Sequence, residues 1–251
     1  MPDPILLRQS NGAIARLTLS DAPRANVLSS AMMAALIEAL DELGADPAVR
    51  VIVLGAAGRI FCAGHDLAEL RASNDETVHA QLFAQCSALM LAIRACPKPV
   101  IARVQGAAVA AGCQLVASCD LAYAGESARF AVSGIDLGLF CSTPGVALSR
   151  AVGRKDALEM LLTGRFVGAE QAAAMGLINR AVPVSELDAV VGQAAQAIAA
   201  KAPDAIALGK AAFHRQVELG LNEAYQVASA AMVENLGLES ARSGIDAFLK
   251  R

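Results

Sequence analysis

Two loops of small residues carry the chemistry that can be read from this chain. FCAGHDL, residues 61–67, follows the apolar run 51–54, and QGAAVAAGCQLVASCD, residues 105–120, follows the apolar run 100–104. Each reads as a buried strand, a tight Gly/Ala turn and a helix start, which brings backbone N–H groups to a ligand with no side chain in the way. Two such turns side by side aim two amide donors at one oxygen, the arrangement that stabilises an oxyanion. A single turn of this kind also serves simply to let strands and helices pack closely; the pair is what points to chemistry. Gln114, inside the second turn, can orient a water through its amide but cannot take its proton at neutral pH.

The elements that must hold these turns alternate. Strand-like runs fall at 13–19, 51–54, 100–104 and 121–124, with helical stretches between most of them. Residues 30–43 show apolar spacing of a helix capped by Ser29 or Ser30, and 76–95 do the same after Asp75, ended by Pro97 and Pro99. The polar segment 71–77 lacks periodicity and reads as a mobile loop beside the first turn. After about Pro183 only helical patterns remain, at 185–201, 203–219, 221–236 and 239–250. The expected fold is therefore α/β, with a core over 1–183 and a helical region over 184–251.

Composition narrows the function class. The 251 residues are 55% hydrophobic and 18% charged, enough for one large core and for burial between subunits. A net charge of −3 and the lack of a basic run argue against nucleic acid. No apolar stretch reaches the ~18 residues of a membrane span, and the N-terminus has no signal-peptide pattern and begins on a strand almost at once. Six cysteines form no CxxC or Cys/His set and read as small core residues of a reducing cytoplasm. The three histidines are scattered, so no metal is expected. GxGxxG after a strand, GxxxxGK[ST] and GxSxG are all missing, which leaves dinucleotide folds, P-loops and α/β-hydrolases without support.

FCAGHDL, then KPVIARVQGAAVAAGCQLVASCDLAYAGESARFAV, then AVGRKDALEMLLTGRFVGAEQAAAMGLINRAV resemble the enoyl-CoA hydratase/isomerase (crotonase) superfamily over nearly the whole chain. More narrowly, AVAAGCQLVASCD and GLFCSTPGVAL are similar to its enoyl-CoA hydratase domain-containing protein 3 subgroup. The resemblance implies a spiral of ββα units and C-terminal helices that pack subunits into homotrimers, often paired as hexamers. It implies an acyl-CoA thioester ligand, no cofactor beyond that CoA, and lyase or isomerase chemistry of fatty acid metabolism. Carried over position by position, the oxyanion donors are the amides of His65 and Ala111, with Ala63 and Gly64 beside the first. Arg24 and Ala25 match a basic-small pair near the nucleotide, and Phe248 and Arg251 match residues that reach it, commonly from a neighbouring subunit.

The departures from that pattern are equally specific. Hydratases of the family hold and deprotonate water with two glutamates; their positions are Gln114 and Gly134 here, and the single glutamate of some isomerases falls near Ser142. Asp136 would share a face with Gly134 on an extended segment and is a substitute base to weigh against a plain solvated residue. Cys62 and Cys141 flank the acyl site, where buried structural thiols are the preferred reading. The His65 ring could be a base, although only its amide is needed. Two readings stay open: an enzyme of the hydratase/isomerase group with an unusual or weak catalytic set, among them a decarboxylase, or a non-catalytic acyl-CoA binder or subunit partner.

Overall fold

The computed structural model describes residues 3–250, so Arg251 lies outside the described residues. The chain opens with the antiparallel pair β1 (Leu6–Asn11) and β2 (Ile14–Leu19), followed by α1 (Ser30–Ala45). Three strand pairs come next. They are β3 (Val51–Ala56) with β4 (Ile60–Cys62), β5 (Val100–Val104) with β6 (Ala107–Val109), and β7 (Leu121–Gly125) with β8 (Arg129–Ala131). The helices between and after them are α2 (Leu67–Ala72), α3 (Glu76–Ala95), α4 (Ala111–Ser118), α5 (Ser142–Ala151) and α6 (Arg154–Thr163). Short strands β9 (Val167–Gly168) and β10 (Arg180–Val182) flank α7 (Ala169–Met175), and α8 (Leu187–Ala199), α9 (Pro203–Gln216), α10 (Leu221–Gly237) and α11 (Glu239–Leu249) complete the chain.

Each strand pair contributes one strand to each of two sheets. The larger sheet runs β1-β2-β3-β5-β7-β10 and the smaller β4-β6-β8-β9. Within them β3, β5 and β7 are parallel, as are β4, β6 and β8. The chain thus advances as a spiral of ββα turns. The main core lies between the sheets and helices α1, α3 and α4, with Phe61, Phe130, Leu89 and Ile93 inside it. Cap residues match their sequence signals: the Ser29 hydroxyl accepts from the Met32 N–H at 3.2 Å, and Asp75 accepts from the Thr77 N–H at 2.8 Å.

Two expectations change. Residues 71–77 are not one loop, because α2 runs to Ala72 and α3 begins at Glu76, leaving a short Asp-capped turn. Helix α8 packs as part of the core, past the division expected at 183: Leu187, Val191 and Ala195 bury against Val51, Val53, Ile101 and Tyr123 on the outer face of the larger sheet. Helices α9, α10 and α11, by contrast, contain no fully buried residue. A polar pin docks α9: Lys210 Nζ donates to Asp120 Oδ2 at 2.7 Å and to the carbonyls of Ile93 and Lys98 at 3.0 and 3.1 Å.

The site-forming turns meet through backbone. A Cβ at Gly112 would lie 2.2 Å from the Cys62 carbonyl oxygen, so only glycine lets the start of α4 close on the end of β4. Immediately before α4, Ala110 has φ 49° and ψ −116°, a conformation suited to glycine. Its N–H donates to Ala131 O at 2.8 Å and its carbonyl accepts from the Gln114 N–H at 3.1 Å, which holds the strained residue in place. Ala110→Gly is expected to stabilise the protein by about 1 kcal/mol, raising Tm by roughly 2–4 °C in thermal unfolding. A lower Tm would contradict the strain at Ala110.

Candidate active site

The two turns open on one cavity of about 650 Å³. Its walls come from the end of the β4 loop (Ala63, His65, Asp66), the start of α2, the β6–α4 turn (Val109, Ala110, Ala111) and the segment from Ser133 to Pro144. Ala111 is the first residue of α4, so its N–H has no acceptor within the helix. It is absent from the residues with positive φ, so its backbone conformation is an ordinary one. A Cβ built on Gly64 would stand 3.2 Å from the Ala111 nitrogen, which sets the residue preceding His65 directly against Ala111. Helix α5 also begins at this cavity, with Ser142 and Thr143 in its wall. Neither α4 nor α5 has a side-chain cap, so both leave positive helix ends toward the cavity without a cation there.

The candidate acid positions do not converge on it. Gln114 is buried, but its Oε1 accepts from the Cys86 thiol at 3.7 Å and it lines a second cavity of about 550 Å³ with Ser87, Met90 and Phe213. The two cavities share Thr143. Gly134 does line the first cavity, yet a Cβ there would lie 2.5 Å from Leu139 O and 2.7 Å from Cys141 Sγ. The space for a second acid is therefore filled by backbone. Asp136 is corrected outright: residues Ser133–Leu137 form a 3-10 turn, not an extended segment, so the i, i+2 positions do not share a face. Asp136 is exposed, and its carboxylate lies beside Gly164 rather than in the cavity.

Burial explains the thiols. Desolvation pushes Cys62 up to about 12 and raises Cys141, which favours the neutral thiol at both and fits the structural reading. Burial pulls the His65 imidazole below its ordinary value, with the Leu28 backbone and the Glu69 carboxylate acting the other way. Both of its ring nitrogens are shut off from solvent, with the Leu28 backbone beside the ring, and its ring meets Phe83 edge-on at 5.4 Å.

Arg24 pairs with Asp66 of the cavity wall, a hydrogen-bonded contact, and with Asp21 at 3.5 Å, leaving its side chain 53% exposed. Ala25 joins the site through its carbonyl, which accepts from the Ala63 N–H at 3.1 Å. Phe248 on α11 is far more exposed and lines neither cavity of its own chain. Asp66 was not singled out from sequence. It caps α2, accepting from the Ala68 N–H at 2.9 Å, and an Asp directly before the helical pattern LAEL is the signal that finds it. Phe83 had no such signal, because a phenylalanine on a helix reads equally as core. Among the described residues no group of three or more His, Cys, Asp or Glu could hold a metal ion, and no helix is long and apolar enough to cross a membrane.

Comparison with known proteins fits this geometry. Residues 9–251 match the family model described as enoyl-CoA hydratase/isomerase. The chain is 45% identical over 250 residues to human "Enoyl-CoA hydratase domain-containing protein 3, mitochondrial", covering 100% of this chain and 82% of that one. A crystal structure of an enoyl-CoA hydratase from Mycobacterium smegmatis superposes with a TM-score of 0.97 at 52% identity, covering 99% of this chain and 97% of that one. The crystal structure of human enoyl-CoA hydratase domain-containing protein 3 gives 0.96 at 43%, covering 98% of each chain. The expectation of a cytoplasmic protein is corrected, since relatives from mouse, human, rat and Xenopus laevis are all named mitochondrial. Six unpaired thiols call only for a reducing compartment, and the cytoplasm is not the only one. The crotonase fold, the paired turns and these matches agree: the chain belongs to the enoyl-CoA hydratase/isomerase family.

Proposed function

We propose that the protein binds an acyl-CoA thioester with the thioester oxygen between the amides of His65 and Ala111, and acts through the enolate so stabilised. The observation that carries this reading is the contact of the two Gly/Ala turns, which puts both residues in the wall of one largely apolar cavity. An amide donor at a developing oxyanion contributes about 3 kcal/mol, and the open ends of α4 and α5 add to the field. A fast two-glutamate hydratase is disfavoured, because Gln114 faces Cys86 and Gly134 carries no acid. The absence of a free carboxylate also favours a second reading, a non-catalytic acyl-CoA binder, for which binding without turnover of crotonyl-CoA or malonyl-CoA is the signature. Arg24 offers its exposed side to the nucleotide phosphates, and Phe248 and Arg251 would serve a neighbouring subunit's ligand.

Three outcomes test this. Butyryl-CoA should bind more tightly than butyrate by calorimetry. Ala111→Pro, which removes the donor at the first position of α4, should abolish enolate chemistry while free CoA still binds to the folded variant. Loss of CoA binding as well would contradict the assignment.

Crotonyl-CoA hydration should run at least ~10²-fold slower than in a relative with both glutamates. Gln114→Glu combined with Gly134→Glu should not restore it, since the Leu139 carbonyl and the Cys141 thiol occupy the space of the second side chain. A folded double variant with strong hydration would show that the segment yields.

Assembly follows from α9–α11, which expose Phe213, Leu221, Tyr225, Val233 and Phe248 with no fully buried residue of their own. Light scattering at micromolar concentration should give a homotrimer or homohexamer; a monomer would contradict this.

A further inference from the structure

Resting on the acyl-CoA reading above, we infer that Asn26 is a positioning residue of the oxyanion site. Its side chain locks a strap, residues 24–28, against the turn that carries the His65 amide, and the strap sets where that amide points. Asn26 is fully buried. It follows Ala25 in the left-handed region, at φ 57° and 52°, so two successive non-glycine residues hold a conformation that L-residues seldom adopt. Such residues persist where their surroundings over-determine them, and they gather at ligand clamps and active sites. A buried amide must also be satisfied, and this one is. Its Nδ2 donates to Ala57 O at 2.9 Å and to Ile60 O at 2.8 Å, and its Oδ1 accepts from the Asp21 N–H at 2.9 Å.

These bonds begin a register of links between the strap and the turn. The Ala63 N–H donates to Ala25 O at 3.1 Å, the Leu28 N–H donates to Gly64 O at 2.8 Å, and Arg24 pairs with Asp66. Leu28 and His65 bridge as parallel strands do. The link at Gly64 decides the chemistry. The Gly64 carbonyl and the His65 N–H belong to one peptide unit, which is planar and trans, so they point in opposite directions. Holding the carbonyl against Leu28 turns the N–H away from the strap, where it meets no backbone acceptor among the described residues. The β6–α4 turn closes on the same peptide, since a Cβ at Gly64 would stand 3.0 Å from Val109 O and 3.2 Å from the Ala111 nitrogen.

The other buried polar side chains serve elsewhere. Ser29 caps α1, Ser118 bonds to Gln114 O within α4, Gln114 meets Cys86, and Asp66 caps α2 while holding Arg24. Asn26 instead uses its whole side-chain amide to fix the strap to the β3–β4 turn. Glycine at this position would take the left-handed backbone without cost but would remove both donor bonds. The backbone links at Ala25 and Leu28 would then be all that held the Gly64–His65 peptide to the strap. A donor that wanders off the line to its acceptor weakens steeply, and an oxyanion donor acts through being aimed beforehand. Arg24 keeps its own tie to Asp66, so the loss falls on the thioester oxygen more than on the nucleotide.

The thioester carbonyl of bound butyryl-CoA reports on this directly, by isotope-edited infrared difference spectroscopy beside calorimetric affinities for butyryl-CoA and free CoA. In wild type the carbonyl band should lie below its frequency in water, because two aimed amides polarise the bond. Asn26→Gly should move the band back toward its place in water. It should also cut the preference for butyryl-CoA over CoA by roughly fivefold, the equivalent of one net hydrogen bond. Asn26→Ser, whose hydroxyl can donate to one of the two carbonyls, serves if the glycine variant does not fold and should lose part of the shift. A folded variant with a lower Tm but the wild-type band and the wild-type preference would overturn the proposal, leaving Asn26 a core residue alone. Wild type that does not bind butyryl-CoA, or binds it with an unshifted carbonyl, would instead overturn the oxyanion reading beneath it.

Discussion

The site depends on one backbone contact, the closure of the first residues of α4 onto the end of β4. Gly112 makes it possible, since any side chain there would meet the Cys62 carbonyl. Gly64, at φ +95°, turns the other loop back so that His65 and Ala111 share a cavity. Both turns leave strands of the smaller sheet, β4 and β6, which are themselves paired in parallel. The spiral therefore fixes the separation of the two amides through sheet hydrogen bonds, and neither loop has to find the other. Ala110 marks the cost: a non-glycine residue held at φ 49° where the chain enters α4.

Around that contact the cavity is electrostatically one-sided. Two helix starts without side-chain caps face it, its one carboxylate is tied up with Arg24, and its thiol is neutral. Such a place favours negative charge that appears during a reaction over negative charge brought in by the protein. The absent glutamates fit this pattern, with Gln114 turned to Cys86 and the Gly134 position packed against Leu139.

Much of the fold was legible because periodicity is a local signal. Val100–Val104 and Glu76–Ala95 fall where their residue pattern puts them, and Ser29 and Asp75 cap as their types suggest. The second sheet was not legible: β4, β6 and β8 have three residues each, too few to show alternation. The resemblance carried the pairing of the two turns, which spacing alone leaves open. Asp136 misled because a 3-10 turn and a strand differ by hydrogen bonds that SGIDL does not announce. Gln114 was placed correctly along the chain, but which cavity its side chain enters depends on α3, whose Cys86 engages it. The compartment was misjudged because unpaired thiols report redox conditions and not an address.

The most direct measurement is a crystal structure of the protein with butyryl-CoA bound. The thioester oxygen should lie about 3 Å from the backbone nitrogens of both His65 and Ala111. An oxygen bound elsewhere, or an acyl group seated away from these two amides, would contradict the oxyanion role of the paired turns.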